Sequence, residues 1–148
     1  MEKMSEYVTA IIGSHLCGLP IERVQHVFVP DRLTPVPLAP FAIAGLLNLR
    51  GRIVTMIDMR HRLELESAQP ECGRMAIGVE CSGECYGLLI DGVGEVLKLP
   101  VAGLEGNPVN LDERLKRLSR GVHRLGKSVL VVLDVDQVLD TSAAAVAA

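Results

Sequence analysis

Apolar residues in this chain fall in short runs that are separated by glycine, proline and polar turns. The first run, 6–13, predicts a strand, and the chain turns at 13–15 into a second run, 16–19. Aliphatic and β-branched runs of this length, bounded by turn residues, are typical of strands. The segments 75–90 and 121–133 repeat the pattern. The chain is therefore predicted to be rich in β-hairpins.

One apolar segment is interrupted by an Arg-Gly corner. Leucines precede the corner in 46–49, and aliphatic and β-branched residues follow it in 53–57. Gly51 permits the positive φ that a tight turn requires, so the segment predicts strand, turn and strand. Arg50 is left at the corner, where its five donors are either paired to a carboxylate or offered to a partner.

Helical patterns are short and lie between the strands. The four prolines between Pro30 and Pro40 predict an exposed loop, because proline cannot donate to a central sheet. An amphipathic pattern of leucines predicts a helix over 111–118, and the chain is predicted to close with a helix over 134–139. Single helical turns are predicted at 20–24, 41–44 and 59–63.

The predicted fold class is mostly β, with two small β-barrels packed around a shared core and short helices. About ten short strands and few helical turns favour this arrangement. We expect a single domain over 6–140, with the chain dividing into two barrels near 66–73, where linker residues concentrate. The Ala-rich segment 141–148 is predicted to be a flexible tail, since it is too short to hold a helix alone.

Composition and charge exclude several classes of function. Hydrophobic residues make up 49% of the 148 and aromatic residues 3%, so the core must be aliphatic. A formal net charge of -3 provides no basic surface for nucleic acid. No apolar run reaches the roughly 18 residues of a membrane-spanning helix, and the first six residues do not form a basic leader. We expect a cytoplasmic protein without direct membrane insertion.

The candidate chemical groups form no recognisable catalytic set. Asp58 and Asp91 each follow an apolar strand, where aspartates usually accept bonds from neighbouring backbone amides. We expect no catalytic residues, no metal ligands and no cofactor. An alternative is a small thiol- or metal-sensing module that uses Cys72, Cys81 and Cys85, although their spacing is not that of a usual zinc site.

A long motif around the corner resembles a known family. Gly-x-x-Asn-Leu-Arg-Gly-x-Ile-Val-x-x-Ile-Asp-x-Arg, at 45–60, is similar to the signature of the CheW family, the adaptors that couple chemoreceptors to a histidine kinase in bacterial chemotaxis. The likeness extends to 86–97 and 121–135 and covers roughly 6–140. It implies two five-stranded β-barrels and a non-catalytic scaffold. The partners it implies are the histidine kinase regulatory domain and the cytoplasmic tip of chemoreceptors, in chemotaxis or in a non-flagellar chemosensory-like pathway.

The resemblance also assigns roles to residues. The motif arginine, Arg50, and Val24 match positions tied to receptor binding in the family. His26 is also a receptor-binding candidate, and here the chain departs from the family, whose members typically carry a Glu that can pair with the motif arginine. Arg50 is therefore expected to be free for a receptor carboxylate. The kinase-binding surface is expected on the second barrel or between the barrels, with these apolar candidates: Ala76, Ile77, Val79, Val93 and Val96.

Overall fold

The computed structural model describes residues 3–30, 33–37, 43–65 and 74–140. Ten strands and three short α-helices lie in these ranges. The strands are β1 (Met4–Ile12), β2 (His15–Pro20), β3 (Val24–Phe28), β4 (Ile43–Leu49), β5 (Arg52–Asp58), β6 (Met75–Cys81), β7 (Glu84–Ile90), β8 (Gly92–Pro100), β9 (Ser119–Leu125) and β10 (Ser128–Leu133). The helices are α1 (Met59–Arg62), α2 (Glu113–Leu118) and α3 (Val135–Leu139), and single 3₁₀ turns follow β2 and β8.

The strands form two five-stranded sheets, which confirms the mostly β fold. The first sheet has the order β8-β1-β2-β10-β9, and the second has the order β3-β6-β7-β5-β4. Neighbouring strands are antiparallel except for one parallel pair in each sheet, β2 with β10 and β5 with β7. Both sheets therefore take strands from the two sides of 66–73, and the predicted division of the chain does not separate them. Residues 66–73 and the predicted tail, 141–148, lie outside the described residues.

The sheets are open, so the closed barrels that were expected are not observed. Within the described ranges, β8 and β9 at the two edges of the first sheet are not paired with each other, nor are β3 and β4 in the second. Short bridges extend the edges instead: Glu105 pairs with Val122 beside β9, and Thr34 pairs with Leu46 beside β4.

Each sheet buries side chains on both of its faces. The largest apolar cluster lies between the sheets and includes Ile12 and Leu19 from the first sheet and Ile57 and Leu88 from the second. Alternate residues of the same strands point to the opposite faces. There they form two smaller clusters, one around Met56 in the second sheet and one around Leu130 in the first. Two-sided burial explains why the strands read as continuous apolar runs rather than alternating ones.

The predicted hairpins and both predicted helices are present, but the prediction of a helical turn at 41–44 is wrong. Ile43 and Ala44 belong to β4, whereas 41–42 lie outside the described residues. The backbones of Thr34 and Leu46 exchange two hydrogen bonds here. Gly45, the residue before Leu46, has φ 155°. A Cβ at this position would lie 2.7 Å from the Thr34 carbonyl oxygen, so only glycine lets the two segments approach.

Candidate functional site

The Arg-Gly corner is a tight hairpin turn between β4 and β5. Arg50 has φ 53° and Gly51 has φ 83°, the left-handed pair that two-residue hairpin turns of type I′ require. The Asn48 side-chain oxygen accepts a hydrogen bond from the Gly51 amide at 3.0 Å and closes the turn. A left-handed conformation is unusual for arginine. The turn fixes its backbone while leaving its side chain exposed.

A pocket of about 450 Å³ opens beside this corner, on the face of the second sheet that points away from the first. Arg50 and Arg52 lie at the corner, and Gln25 and His26 come from β3. The remaining lining is mostly apolar, with one glycine and one tyrosine: Phe28, Leu49, Val54, Gly78, Cys85 and Tyr86. Arg50 and His26 therefore line the same pocket.

His26 is held by its neighbours on β3 and β6. Its ring stacks on Phe28 with centroids 5.1 Å apart and planes inclined by 28°. The ring also lies over Gly78, where a Cβ would come within 2.8 Å of the imidazole. Sequence reasoning missed both residues. Phe28 follows His26 by two positions on β3 and so shares its face of the sheet, whereas Gly78 is beside His26 only because β3 pairs with β6.

Val24 does not share the pocket with His26. Val24 pairs with Val79 and His26 with Gly78, and a register shift separates the two pairs. Residues that lie opposite each other in neighbouring strands share a face of the sheet. Val24 accordingly packs against the cluster between the sheets, whereas His26 faces the pocket.

The apolar residues proposed for kinase contact lie in different environments. Ala76, Ile77 and Val79 on β6 have no exposed surface, so they fill the core and do not form a surface. These three are therefore removed from the five apolar candidates, some of which were expected to fill the core. Val93 is half-buried and Val96 is 51% exposed, and both lie on β8, an edge strand of the first sheet. The predicted kinase contact therefore narrows to these two residues.

The candidate carboxylates at strand ends are structural. Asp58 caps α1 through the Arg60 and His61 amides and forms two bonds with Arg74, at 2.9 and 3.0 Å. Burial alone would raise the pKa of Asp58, but Arg74 outweighs it and holds the pKa below its usual value. Asp91 is similar: burial opposes ionisation, yet the bonds from Arg60 and the Gly13 amide lower its pKa.

The cysteines do not form a common site. Cys85 lies opposite Glu80 in the β6–β7 hairpin, and Cys81 is the next residue after Glu80, so the two thiols point to opposite faces. Cys17 is fully buried, and burial raises its pKa to about 12. Cys72 lies outside the described residues. Across the ranges that the structure describes, no three His, Cys, Asp or Glu side chains are arranged to hold a metal ion, and the thiol- or metal-sensing alternative is not favoured.

Comparison with known proteins agrees with the motif at the corner. A family model described as CheW-like domain matches residues 6–143, which include both sheets and the pocket. The chain belongs to the CheW-like family. In this CheW-like chain the Arg50 side chain is exposed beside the pocket.

Individual CheW-like relatives cover most of the chain. It is 26% identical over 144 residues to chemotaxis protein CheW of Treponema pallidum, and the aligned region covers 95% of this chain and 85% of that protein. It is 27% identical over 140 residues to protein FrzA of Myxococcus xanthus, spanning 93% and 86%. The crystal structure of scaffolding protein TtCheW from Thermoanaerobacter tengcongensis superimposes with a TM-score of 0.79 at 25% identity, covering 90% of this chain and 86% of that one.

The helices that the structure describes in this CheW-like chain are four to six residues long. None of those in the described ranges has the length and apolar character needed to cross a bilayer.

Proposed function

We propose that this chain is a cytoplasmic, non-catalytic adaptor that couples chemoreceptors to a histidine kinase in chemotaxis. The observation that carries the proposal is the family motif at 45–60, which forms the β4–β5 hairpin with an exposed turn at Arg50. No carboxylate of the described residues lies within ion-pair distance of this arginine. Membership of the CheW-like family and the similarity to TtCheW, which is described as a scaffolding protein, support the same function.

In this proposal the pocket beside Arg50 receives the receptor. Arginine is enriched among the residues that dominate binding energy at interfaces, and a carboxylate bonded to a guanidinium is recognised with defined geometry. His26 occupies the position from which a family glutamate would pair with Arg50, and it stacks on Phe28 instead. Val24 contributes indirectly, because its side chain packs against the cluster between the sheets and so anchors β3, the strand that carries His26.

The kinase regulatory domain is proposed to bind the β8 edge of the first sheet. Val96 is exposed there and Val93 is half-buried, which provides an apolar centre of the kind that protein interfaces use. A standard interface buries about 800 Å² on each partner. Because β8 and the pocket belong to different sheets, one adaptor offers the two partners separate surfaces.

The receptor surface is tested by replacing Arg50. Loss of one charge-assisted bond, worth about 1.5–3 kcal/mol, should weaken binding of a receptor cytoplasmic fragment roughly tenfold to hundredfold in Arg50→Ala. His26→Glu should weaken it too, because the new carboxylate competes for the guanidinium. Binding is measured by titration calorimetry with the receptor and, separately, with the kinase regulatory domain. Unchanged receptor affinity in both variants would remove the pocket from the receptor interface.

The kinase surface is tested by placing a charge on β8. Val96→Lys should weaken binding of the kinase regulatory domain and leave receptor binding intact. Val109→Lys is the matched control, since Val109 is 95% exposed in a loop outside both surfaces. If Val96→Lys binds the kinase as the unmodified chain does, the kinase contacts another part of the molecule.

A further inference from the structure

Two arginines, not one, stand at the mouth of the pocket. Arg50 occupies the turn and Arg52 begins β5, with only Gly51 between them. Both side chains are exposed and both line the same cavity. Arg52 corresponds to a variable position of the family motif, so the resemblance assigns it no role.

Neither guanidinium forms an ion pair within the part of the chain that the structure describes. No carboxylate of the described residues lies within 4.0 Å of Arg50 or Arg52, the limit for an ion pair. The acids of the neighbouring β6–β7 hairpin have other partners. Glu80 accepts a hydrogen bond from the side-chain amide of Gln25 at 2.8 Å, and Glu84 accepts one from the Tyr86 hydroxyl at 2.7 Å. Two positive charges therefore remain at one corner of the pocket.

A hydrogen bond closes the corner, and most of the pocket wall behind it is apolar. The bond from the Gly51 backbone amide to the Asn48 side chain closes the turn that holds Arg50, and Arg52 follows directly as the first residue of β5. Phe28 and Val54 lie in the pocket wall. A ligand that complements this arrangement has an apolar group for the cavity and two anionic groups for the rim. Guanidinium groups favour carboxylates for this purpose because they offer paired donors in a plane.

We propose that Arg52 is a second specificity-determining residue of the pocket, and that the receptor segment which enters it carries two carboxylates beside an apolar side chain. This inference rests on the proposed receptor-binding role of the pocket. Arg50 would bind one carboxylate and Arg52 the other. Because no carboxylate of the described residues pairs with either guanidinium, both are available to the partner.

The test compares charge variants against a receptor cytoplasmic fragment from the same genome, at low and at moderate salt. Arg52→Ala should lower affinity about tenfold, and Arg52→Glu should lower it further because it repels a carboxylate. Both variants should also reduce the dependence of affinity on salt. Lys127→Glu is the matched control, since Lys127 is exposed in a hairpin turn of the first sheet and should leave receptor affinity unchanged.

A charge swap identifies the partner group. Acidic residues of the receptor fragment are changed singly to Lys and tested against Arg52→Glu, and recovery of affinity by one of them would support the inference. Receptor binding by Arg52→Glu that equals the unmodified chain, with the same salt dependence, would overturn it. If Arg50→Ala still loses receptor binding in that case, the proposed function stands and only the role of Arg52 is lost. If Arg50→Ala also binds normally, the pocket is not the receptor site at all.

Discussion

Asp58 should be one of the most costly side chains to remove, although it takes part in no proposed binding surface. Its carboxylate caps α1 and pairs with Arg74, and the two side chains are only 7% and 17% exposed. Asp134 provides a matched comparison. It also follows a strand and caps a short helix, α3, but it has no salt bridge among the described residues.

The magnitudes follow from these contacts. Loss of a helix cap costs about 1 kcal/mol of the free energy of unfolding, so Asp134→Ala should lower the melting temperature by about 2–4 °C. Asp58→Ala also leaves the Arg74 guanidinium buried without its partner, which costs about 3–5 kcal/mol for a buried pair. Because Arg74 is partly exposed, we expect a total near the lower end, about 4 kcal/mol or about 8–16 °C.

Urea titration and thermal melting measure both variants. A double-mutant cycle with Arg74→Met isolates the pair, since Asp58→Ala in that background should cost only the cap. The pKa of Asp58 lies below its usual value in the folded chain, so its contribution is present above about pH 4 and is lost as the pH falls through the folded pKa. Equal costs for Asp58→Ala and Asp134→Ala at pH 7 would refute this reasoning.

Three further predictions concern other buried groups. His123 is 3% exposed and contacts the Tyr7 ring, and burial lowers its pKa. The free energy of unfolding should therefore fall as the pH drops below about 6.5. His123→Phe should flatten that dependence in urea titrations between pH 5 and 7. Cys17 should resist alkylation by iodoacetamide in the folded chain and react only after unfolding, because its thiol is buried with a pKa of about 12; rapid native-state labelling would contradict its burial. Gly121→Ala should lower the free energy of unfolding by more than about 1 kcal/mol in thermal melts, since φ is 142° and a Cβ would lie 2.5 Å from the Glu105 carbonyl oxygen. A neutral effect would mean that the Glu105 segment separates easily from β9.

Local features of this fold could be predicted because their causes are local. The Arg50-Gly51 corner follows from turn chemistry, and the caps at Asp58 and Asp134 follow from an aspartate placed between a strand and a helical pattern. The membership of strands in sheets could not be predicted in the same way. The parallel pairs, β2 with β10 and β5 with β7, join segments far apart in the chain, and nothing in either segment identifies its neighbour.

The candidate site shows the same limit. Ile77 and Val96 are both apolar strand residues, yet one is buried in the core and the other is half-exposed, because β6 lies inside a sheet with two covered faces and β8 lies at an edge. The register shift in β3 separates Val24 from His26 in a way that the strand period alone does not reveal. Gly78 reaches the pocket only through the pairing of β3 with β6.

Simultaneous binding of a chemoreceptor and a histidine kinase is the property that defines a coupling adaptor. The most direct measurement mixes a receptor cytoplasmic fragment, the kinase regulatory domain and this chain, and recovers the receptor with its bound proteins. We predict that the receptor retains the kinase domain when the adaptor is present. The amount of kinase domain retained should fall with Arg50→Ala. It should also fall with Val96→Lys, although that adaptor variant itself stays on the receptor. Competition between the two partners for the chain, or retention of neither partner by it, would contradict the proposed function.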